Sequence, residues 1–507
     1  MHGSMPQSIG VCLAVQITTV VAVASLIVLG IVGSVPPRAE AFPGLTLDLP
    51  SLQWGAPKRA DGSVRFWDPK ALAGIGTNLV SVYYRPMDDN GKYRGVTWVI
   101  PPSLLTPVLE NAKPELRESH SLGIKVIGYG DTIQFSPDVF RSENLDPEKY
   151  YALDIDGKKV PCAGWDPTGN YMSCLNNPHW LSLQKQINTM TAKAGFDAFQ
   201  FDLYPYGERP GYHCRCSHCL SAWREYSRKR FGASKPIPGV ALNLAGNSVD
   251  RAYWEWRMLC LADFLKSVQR SARTARPTFV FIQNHNVDSV DFAFTALHGG
   301  LDQPSTELSR LTLGNDSSLY LYRMAEAVNG AKLYSLCNSE KQRTPTSRLR
   351  VALAEAFAGG GALHAPAESD CRPTVSSYLG FVRANPSWFA GTKSDASVGI
   401  LFSWRDHACL QGPGTGDCRR MDWGQNSCKR AAAALASKGI PYDYVIAEKR
   451  LKAAQLAHYR VIITPELKLL DDADARALQA YVRGGGRLSV RLKRLYAYAV
   501  VSVSLAK

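Results

Sequence analysis

Residues 180–219 hold the unit that restricts this chain to few architectures. Trp180, Leu183, Ile187, Met190 and Ala194 recur at three- and four-residue steps, the spacing of an amphipathic helix. Gly195 follows at the point where a helix stops. Phe196 to Phe201 is then an apolar run of strand length, and it ends on one acid, Asp202. A Tyr/Pro/Gly-rich loop leads to Cys214, Cys216 and Cys219 at Cys-x-Cys-x2-Cys spacing. Helix, tight turn, buried strand, loop and helix make one α/β unit. In such units ligands meet the chain at the carboxyl ends of strands, where Asp202 is placed.

The same alternation runs through most of the chain. Strand-like runs at 77–84, 124–130, 278–284, 332–338 and 362–366 alternate with helical patterns at 104–121, 251–275, 317–329 and 346–358. Shorter strand candidates stand at 63–67 and 299–307, and a basic surface helix at 220–231. A polar excursion over 131–176 holds a hairpin with Asp156-Gly157 at its turn. Seven or eight such units over 63–390 predict a (β/α)8 barrel, spanning 63–392, rather than an open sheet. Residues 393–507 read as a smaller parallel α/β domain, with strands at 396–404 and 458–466, a helix at 428–439, and then helix, glycines and strand. The last stretch, RLKRLYAYAVVSVSLAK, does not continue that pattern.

Residues 11–33 carry no charge and are long enough to span a bilayer. Ala39-Glu40-Ala41 reads as a cleavage site of the A-x-A type, although no Lys or Arg precedes the apolar run. Residues 1–41 are therefore read as a signal peptide or N-terminal membrane anchor. Either exports the remainder, leaving it periplasmic, secreted or membrane-anchored. The Pro/Gly-rich residues 42–62 are read as a linker. The net charge of +14 is spread without long like-charge runs, so nucleic-acid binding gains no support, and a diffuse attraction to anionic envelope polymers fits better. No Gly-x-Gly-x-x-Gly opens a helix and no Walker-type Gly-Lys-Ser/Thr occurs, so nucleotide cofactors gain none either.

Twelve cysteines in an exported chain predict disulfides, with Cys409, Cys418 and Cys428 able to supply one bridge. The Cys214, Cys216 and Cys219 group differs: thiols this close bridge one another poorly and suit a tetrahedral structural zinc. Cys174, in MSCLNNP, is the first choice for fourth ligand, with Cys162 and His218 as the others. A mixture of disulfide and free thiol is the alternative to metal. No His-x-x-x-His or two-His-carboxylate set accompanies the cluster, so a hydrolytic zinc is not expected.

An acid ending a barrel strand, followed by a Cys-x-Cys-x2-Cys loop, resembles the bacterial β-galactosidases of glycoside hydrolase family 42 and their uncharacterised relatives. VIITPELKLLDDADARALQAYVRGGGRL resembles that family's middle, amidotransferase-like "trimerisation" domain, which has a flavodoxin-type α/β fold and lacks the amidotransferase cysteine. KLYSLCNSEKQ and LRVALAEAFAGGGALHAPAE resemble the family's seventh and eighth strands. The resemblance implies a zinc completed by Cys174, a homo-oligomer built through the second domain, and a carbohydrate substrate. The chain departs from the family at two places. Phe201-Asp202 stands where the family has Asn-Glu, and Glu340 lies a few residues beyond the family's nucleophile position. An Asp at that strand end is similar to the barrel α-L-fucosidases, in which it is the nucleophile. The class, not β-galactosidase activity itself, is what the resemblance implies.

Elementary chemistry supports the same class. Glycoside hydrolysis needs two carboxyl groups across the sugar, one to protonate the leaving oxygen and one to attack or to activate water. Strand-end acids are Asp202, Glu307, Glu340 and Glu368. Asp202 is read as nucleophile or base, Glu307 as general acid and Glu340 as reserve. Tyr84, Tyr129, Trp165, Tyr204 and Tyr206 fall at the same strand ends and offer faces for sugar rings, and His285 and Asn286 offer hydrogen bonds to hydroxyls of an oligo- or polysaccharide. The competing reading is a non-catalytic carbohydrate-binding barrel of the cell envelope, in which Asp202 recognises sugar and no second acid acts.

Overall fold

The computed structural model describes residues 46–48, 67–83, 99–162, 169–202, 214–239, 242–244, 246–284, 296–299, 301–308, 319–330, 334–337, 346–359, 361–366, 372–388, 394–404, 427–465, 467, 470–490 and 501–502. The chain divides into residues 1–38, which lie outside the described residues, and a unit of 39–507. The apolar run 11–33 therefore lies outside as well. No helix among the described residues is long and apolar enough to cross a membrane.

Eight strands form a closed barrel: β1 (Thr46–Asp48), β2 (Leu79–Tyr83), β3 (Lys125–Asp131), β4 (Ala198–Asp202), β5 (Val280–Asn284), β6 (Gln303–Leu308), β7 (Tyr334–Cys337) and β8 (Ala362–Pro366). Each is parallel to the next, and β8 closes onto β1. Around them run α1 (Pro69–Ile75), α2 (Pro102–Ser121), α3 (Pro178–Ala194), α4 (Ser217–Phe231), α5 (Ser248–Ala275), α6 (Leu319–Asn329), α7 (Thr346–Ala358) and α8 (Arg372–Ala384). This is the (β/α)8 barrel that the alternation predicts.

The strands read as unbroken apolar runs because both faces are buried. Leu79, Ile127, Ala198, Val280 and Ile282 fill the barrel interior as one cluster. Alternate residues such as Val80, Val126, Phe199, Phe201 and Phe281 belong to the larger core that includes the helices. Gly195 ends α3 at φ +111, its N–H returning to Ala192 and Thr191, a left-handed cap that glycine adopts without a Cβ penalty. The chain can then turn at once into β4.

The first barrel strand lies earlier than expected. Thr46–Asp48 falls within the stretch read as a linker, yet it pairs with both β8 and β2 and so closes the barrel. The strand expected at 63–67 is not found there: Trp67 lies just before α1, buried, with its indole N–H on Ser119 Oγ at 2.9 Å, and 63–66 lie outside the described residues. The hairpin is present. Tyr151 pairs with Ser173, Leu153 with Lys159 and Pro161 with Tyr171, and Gly157 takes φ +75 at the turn.

The second domain has five strands, β9 (Val398–Phe402), β10 (Tyr442–Ile446), β11 (Val461–Thr464), β12 (Arg487–Val490) and β13 (Val501–Ser502), in the order β10-β9-β11-β12-β13. The first four are parallel and β13 is antiparallel to β12, so the terminal stretch that broke the pattern supplies an edge strand. Helices α9 (Ser427–Ser437) and α10 (Asp472–Arg483) pack on it. α6 of the barrel meets β10 and α9, and Lys449 Nζ donates to the Ala327 carbonyl at 2.8 Å across that junction.

Candidate functional site

The carboxyl rim is set by strand register. Asp202 is the last residue of β4 and pairs with Asp131, the last of β3, and with Asn284, the last of β5. Asn284 in turn pairs with Ser305 of β6, and Glu307 stands two residues further along, opposite Leu336. The structure thus places two of the expected acids on the barrel rim, on strands separated by β5. Tyr129, read as a sugar-stacking residue, is two pairs below the rim opposite Gln200 and is buried. Glu340, Glu368, Tyr84, Trp165, Tyr204, Tyr206, His285 and Asn286 lie outside the described residues.

Asp131 is a further rim acid that the strand pattern alone does not mark, although IKVIGYGD ends on an acid just as AFQFD does. Its carboxylate is buried. Oδ1 accepts from the N–H of Ile133 at 2.6 Å and of Gln134 at 2.9 Å, which folds the loop after β3 back over the strand end. Asp48 likewise ends β1 at the rim and was hidden in the supposed linker.

The four cysteines converge beside this rim. Cys174 comes from the segment between the hairpin and α3, and Cys214, Cys216 and Cys219 from the entry to α4. All are buried, and their sulfurs lie within 4.8 Å of one another. Cys174 Sγ is 3.5 Å from Cys219 Sγ and 3.4 Å from Cys216 Sγ. A disulfide requires about 2.05 Å. Four thiolates around one ion at about 2.3 Å would stand about 3.8 Å apart, which these separations approach. Cys174 therefore completes the set. Cys162 instead contacts Met172 Sδ at 3.7 Å, and His218 is exposed on α4. Outside the cluster, Cys162, Cys260 and Cys428 are also free, so none of these buried cysteines forms a disulfide. Cys409 and Cys418 lie outside the described residues.

The surroundings suit an anionic sulfur cluster. Asn176 Nδ2 donates to Cys219 Sγ at 3.3 Å, Arg257 Nη1 points at the same sulfur at 3.6 Å, and the Leu153 N–H meets Cys214 Sγ at 3.4 Å. The neighbouring Cys174, Cys214 and Cys216 thiols hold the Cys219 thiol well below its ordinary value, burial opposes them, and the Arg257 charge adds to the lowering. Arg257 is fully buried on α5, and a guanidinium out of water requires an anion beside it. The backbone joins the same pieces, because Arg215 N donates to Leu153 O at 2.7 Å. The cluster therefore pins the hairpin after β3 to the loop after β4, the two connections that flank Asp131 and Asp202.

Residues 396–490 match the family described as the beta-galactosidase trimerisation domain. Among solved structures, a cold-adapted β-galactosidase from Rahnella sp. R3 superposes with a TM-score of 0.65 at 16% identity, over 89% of this chain and 71% of that one. A GH42 β-galactosidase from G. stearothermophilus gives 0.59 at 16%, over 83% and 68%, and α-L-fucosidase isoenzyme 2 from Paenibacillus thiaminolyticus gives 0.59 at 15%, over 88% and 63%. No curated protein matches in sequence. At these identities the likeness is one of fold, and it covers both domains in order. The chain has the (β/α)8 fold of those β-galactosidases, and residues 396–490, which follow the barrel, match the trimerisation-domain family.

Proposed function

We propose that this chain is an exported glycoside hydrolase in which Asp202 acts as nucleophile or base and Glu307 as general acid. The observation that carries the reading is the register of the rim: two acids end or nearly end parallel strands on the face where such barrels place their chemistry. Glu340, after β7, is the reserve second acid. A nucleophile must stay ionised while its partner stays protonated, so the two environments must push their pKa values apart. The activities of the structural neighbours, β-galactosidase and α-L-fucosidase, define the substrates to try first. The apolar run 11–33 and the Ala39/Ala41 pair support export, which cell fractionation tests directly. The trimerisation-domain match supports a homo-oligomer.

Cys174, Cys214, Cys216 and Cys219 would hold zinc as a closed structural centre. The donor set, all sulfur and all buried, fits zinc, and Arg257 offsets part of the excess negative charge. When bound, the ion supplies a cross-link between loops and no open coordination position. The residues act on substrate independently of it.

The test is a screen of purified protein against aryl β-galactosides, aryl α-L-fucosides and natural oligosaccharides. Turnover of one class is expected. Glu307→Gln should lower kcat/KM for substrates with poor leaving groups by about 10²–10⁴-fold and spare kcat/KM for activated aryl glycosides, since only the former need the proton in the bond-breaking step. Binding of oligosaccharides with no turnover of any would replace this reading by the carbohydrate-binding barrel.

A further inference from the structure

The second domain has a crevice that the barrel chemistry does not use. From β9 the chain passes to β10 on one side, then returns across the sheet to β11 on the other. The carboxyl ends of β9 and β11 therefore feed connections that diverge, and open parallel sheets bind ligands at such a point. A cleft of about 400 Å³ lies there, walled by Ser403 after β9, Glu448 and Arg450 after β10, and Asp471 and Asp474 at the start of α10. Arg251 of α5 reaches in from the barrel, so the cleft joins the two domains.

The charges in this cleft are unevenly satisfied. Glu448 accepts from Ser403 Oγ at 2.7 Å and Asp474 from the Leu451 N–H at 2.7 Å, while Asp471 caps α10 by accepting from the Asp474 N–H at 2.9 Å. Arg251 donates one N–H to the Leu244 carbonyl at 2.8 Å. Neither Arg251 nor Arg450 has a carboxylate partner among the described residues. Arg450 also holds φ at +59, a backbone region that side-chain-bearing residues adopt uncommonly.

We propose that this crevice binds an acidic sugar, a polyol carrying one carboxylate, such as a hexuronate. Two guanidinium groups offer paired N–H donors to a carboxylate, and the neighbouring carboxylates accept from hydroxyls. Among the described lining residues three acids stand against two cations, which matches a single carboxylate better than a doubly charged phosphate. The ligand contacts both domains, and its binding is separate from the barrel rim.

The experiment is titration calorimetry and thermal melting of the full chain, with sodium galacturonate and sodium glucuronate as probes and galactose and inorganic phosphate as controls. A uronate should bind saturably and raise the melting temperature, whereas the controls should not. Arg251→Gln and Arg450→Gly, the latter keeping the backbone relaxed, should each weaken uronate binding by about tenfold or more. Asp202→Asn should bind it unchanged. The proposal is overturned if no uronate binds, if galactose or phosphate binds as well, if both arginine variants retain full affinity, or if Asp202→Asn abolishes binding and so places the ligand at the rim.

Discussion

The two ends of the barrel use the same residue type in opposite ways. At the amino end, Asp197 precedes β4 and Asp302 precedes β6. Asp197 accepts from His120 Nε2 at 2.9 Å, Arg276 Nη2 at 2.5 Å and the Val126 N–H at 2.9 Å. Asp302 repeats the device, with Arg273 Nη2 at 2.7 Å, Gln269 Nε2 at 3.0 Å and the Phe281 N–H at 2.8 Å. Each acid grips the start of the neighbouring strand and draws onto it a guanidinium from the end of α5, Arg273 in its last turn or Arg276 just past it. At the carboxyl end the acids stand in strand register, and order comes from sulfur: the four cysteines tie the loops after β3 and β4 together. Fixed charges at the amino end hold the strands in place.

The largest effect should follow from removing the sulfur tie. Chelation, or Cys216→Ser, should lower stability by several kcal/mol, since a structural metal contributes to folding directly. Metal analysis with melting curves in the presence and absence of chelator checks this. Less than about half an equivalent of zinc in folded protein would break the contrast at the carboxyl end.

Next comes Asp197→Ala, which strands a partly buried guanidinium and should cost about 3 kcal/mol in urea unfolding while leaving turnover of the folded protein unchanged. Loss of turnover at full stability would invert the comparison. Asp302→Ala should act in the same direction by about 2 kcal/mol, because a buried N–H donor and an arginine lose one acceptor.

The smallest effect is on pH dependence. Burial alone would push Asp197 up, but hydrogen bonds from His120 and the Val126 N–H, with the Arg276 charge, hold its carboxyl below the ordinary range. The unfolded chain therefore binds the proton first as pH falls. Asp197's contribution is fully present above the unfolded value of about 3.9 and is lost as pH drops through the lower folded value. The gap in urea midpoint between the parent and Asp197→Ala should be constant from neutral pH to about 5 and close below about 4.

What the sequence revealed follows from how each feature is buried. IKVIGYG, AFQFD and TFVFIQN are legible because strands covered on both faces are runs of apolar residues. TLD in β1 is not: it is three residues long and takes its place only by pairing with β8 and β2. YDYVI in β10 went unseen because polar residues interrupt it, although it packs between β9 and the barrel's α6. The sulfur cluster was readable, since thiols at that spacing have few uses. Asp197 and Asp302 were not, because an acid before a strand looks like any loop acid until the arginine arrives from a helix far along the chain. Asp131 shows the same limit at the rim, where its role depends on a register that no local pattern displays.

The measurement that tests the division most directly is a paired comparison of Asp202→Asn and Asp197→Ala, with kcat/KM and melting temperature recorded for both on the substrate found by the glycoside screen. Asp202→Asn should lose about 10³-fold or more in kcat/KM with its melting temperature unchanged, because the amide keeps the carboxylate's shape but neither attacks nor takes a proton. Asp197→Ala should melt lower and turn over normally. Full activity in Asp202→Asn would contradict the assignment of chemistry to the carboxyl rim.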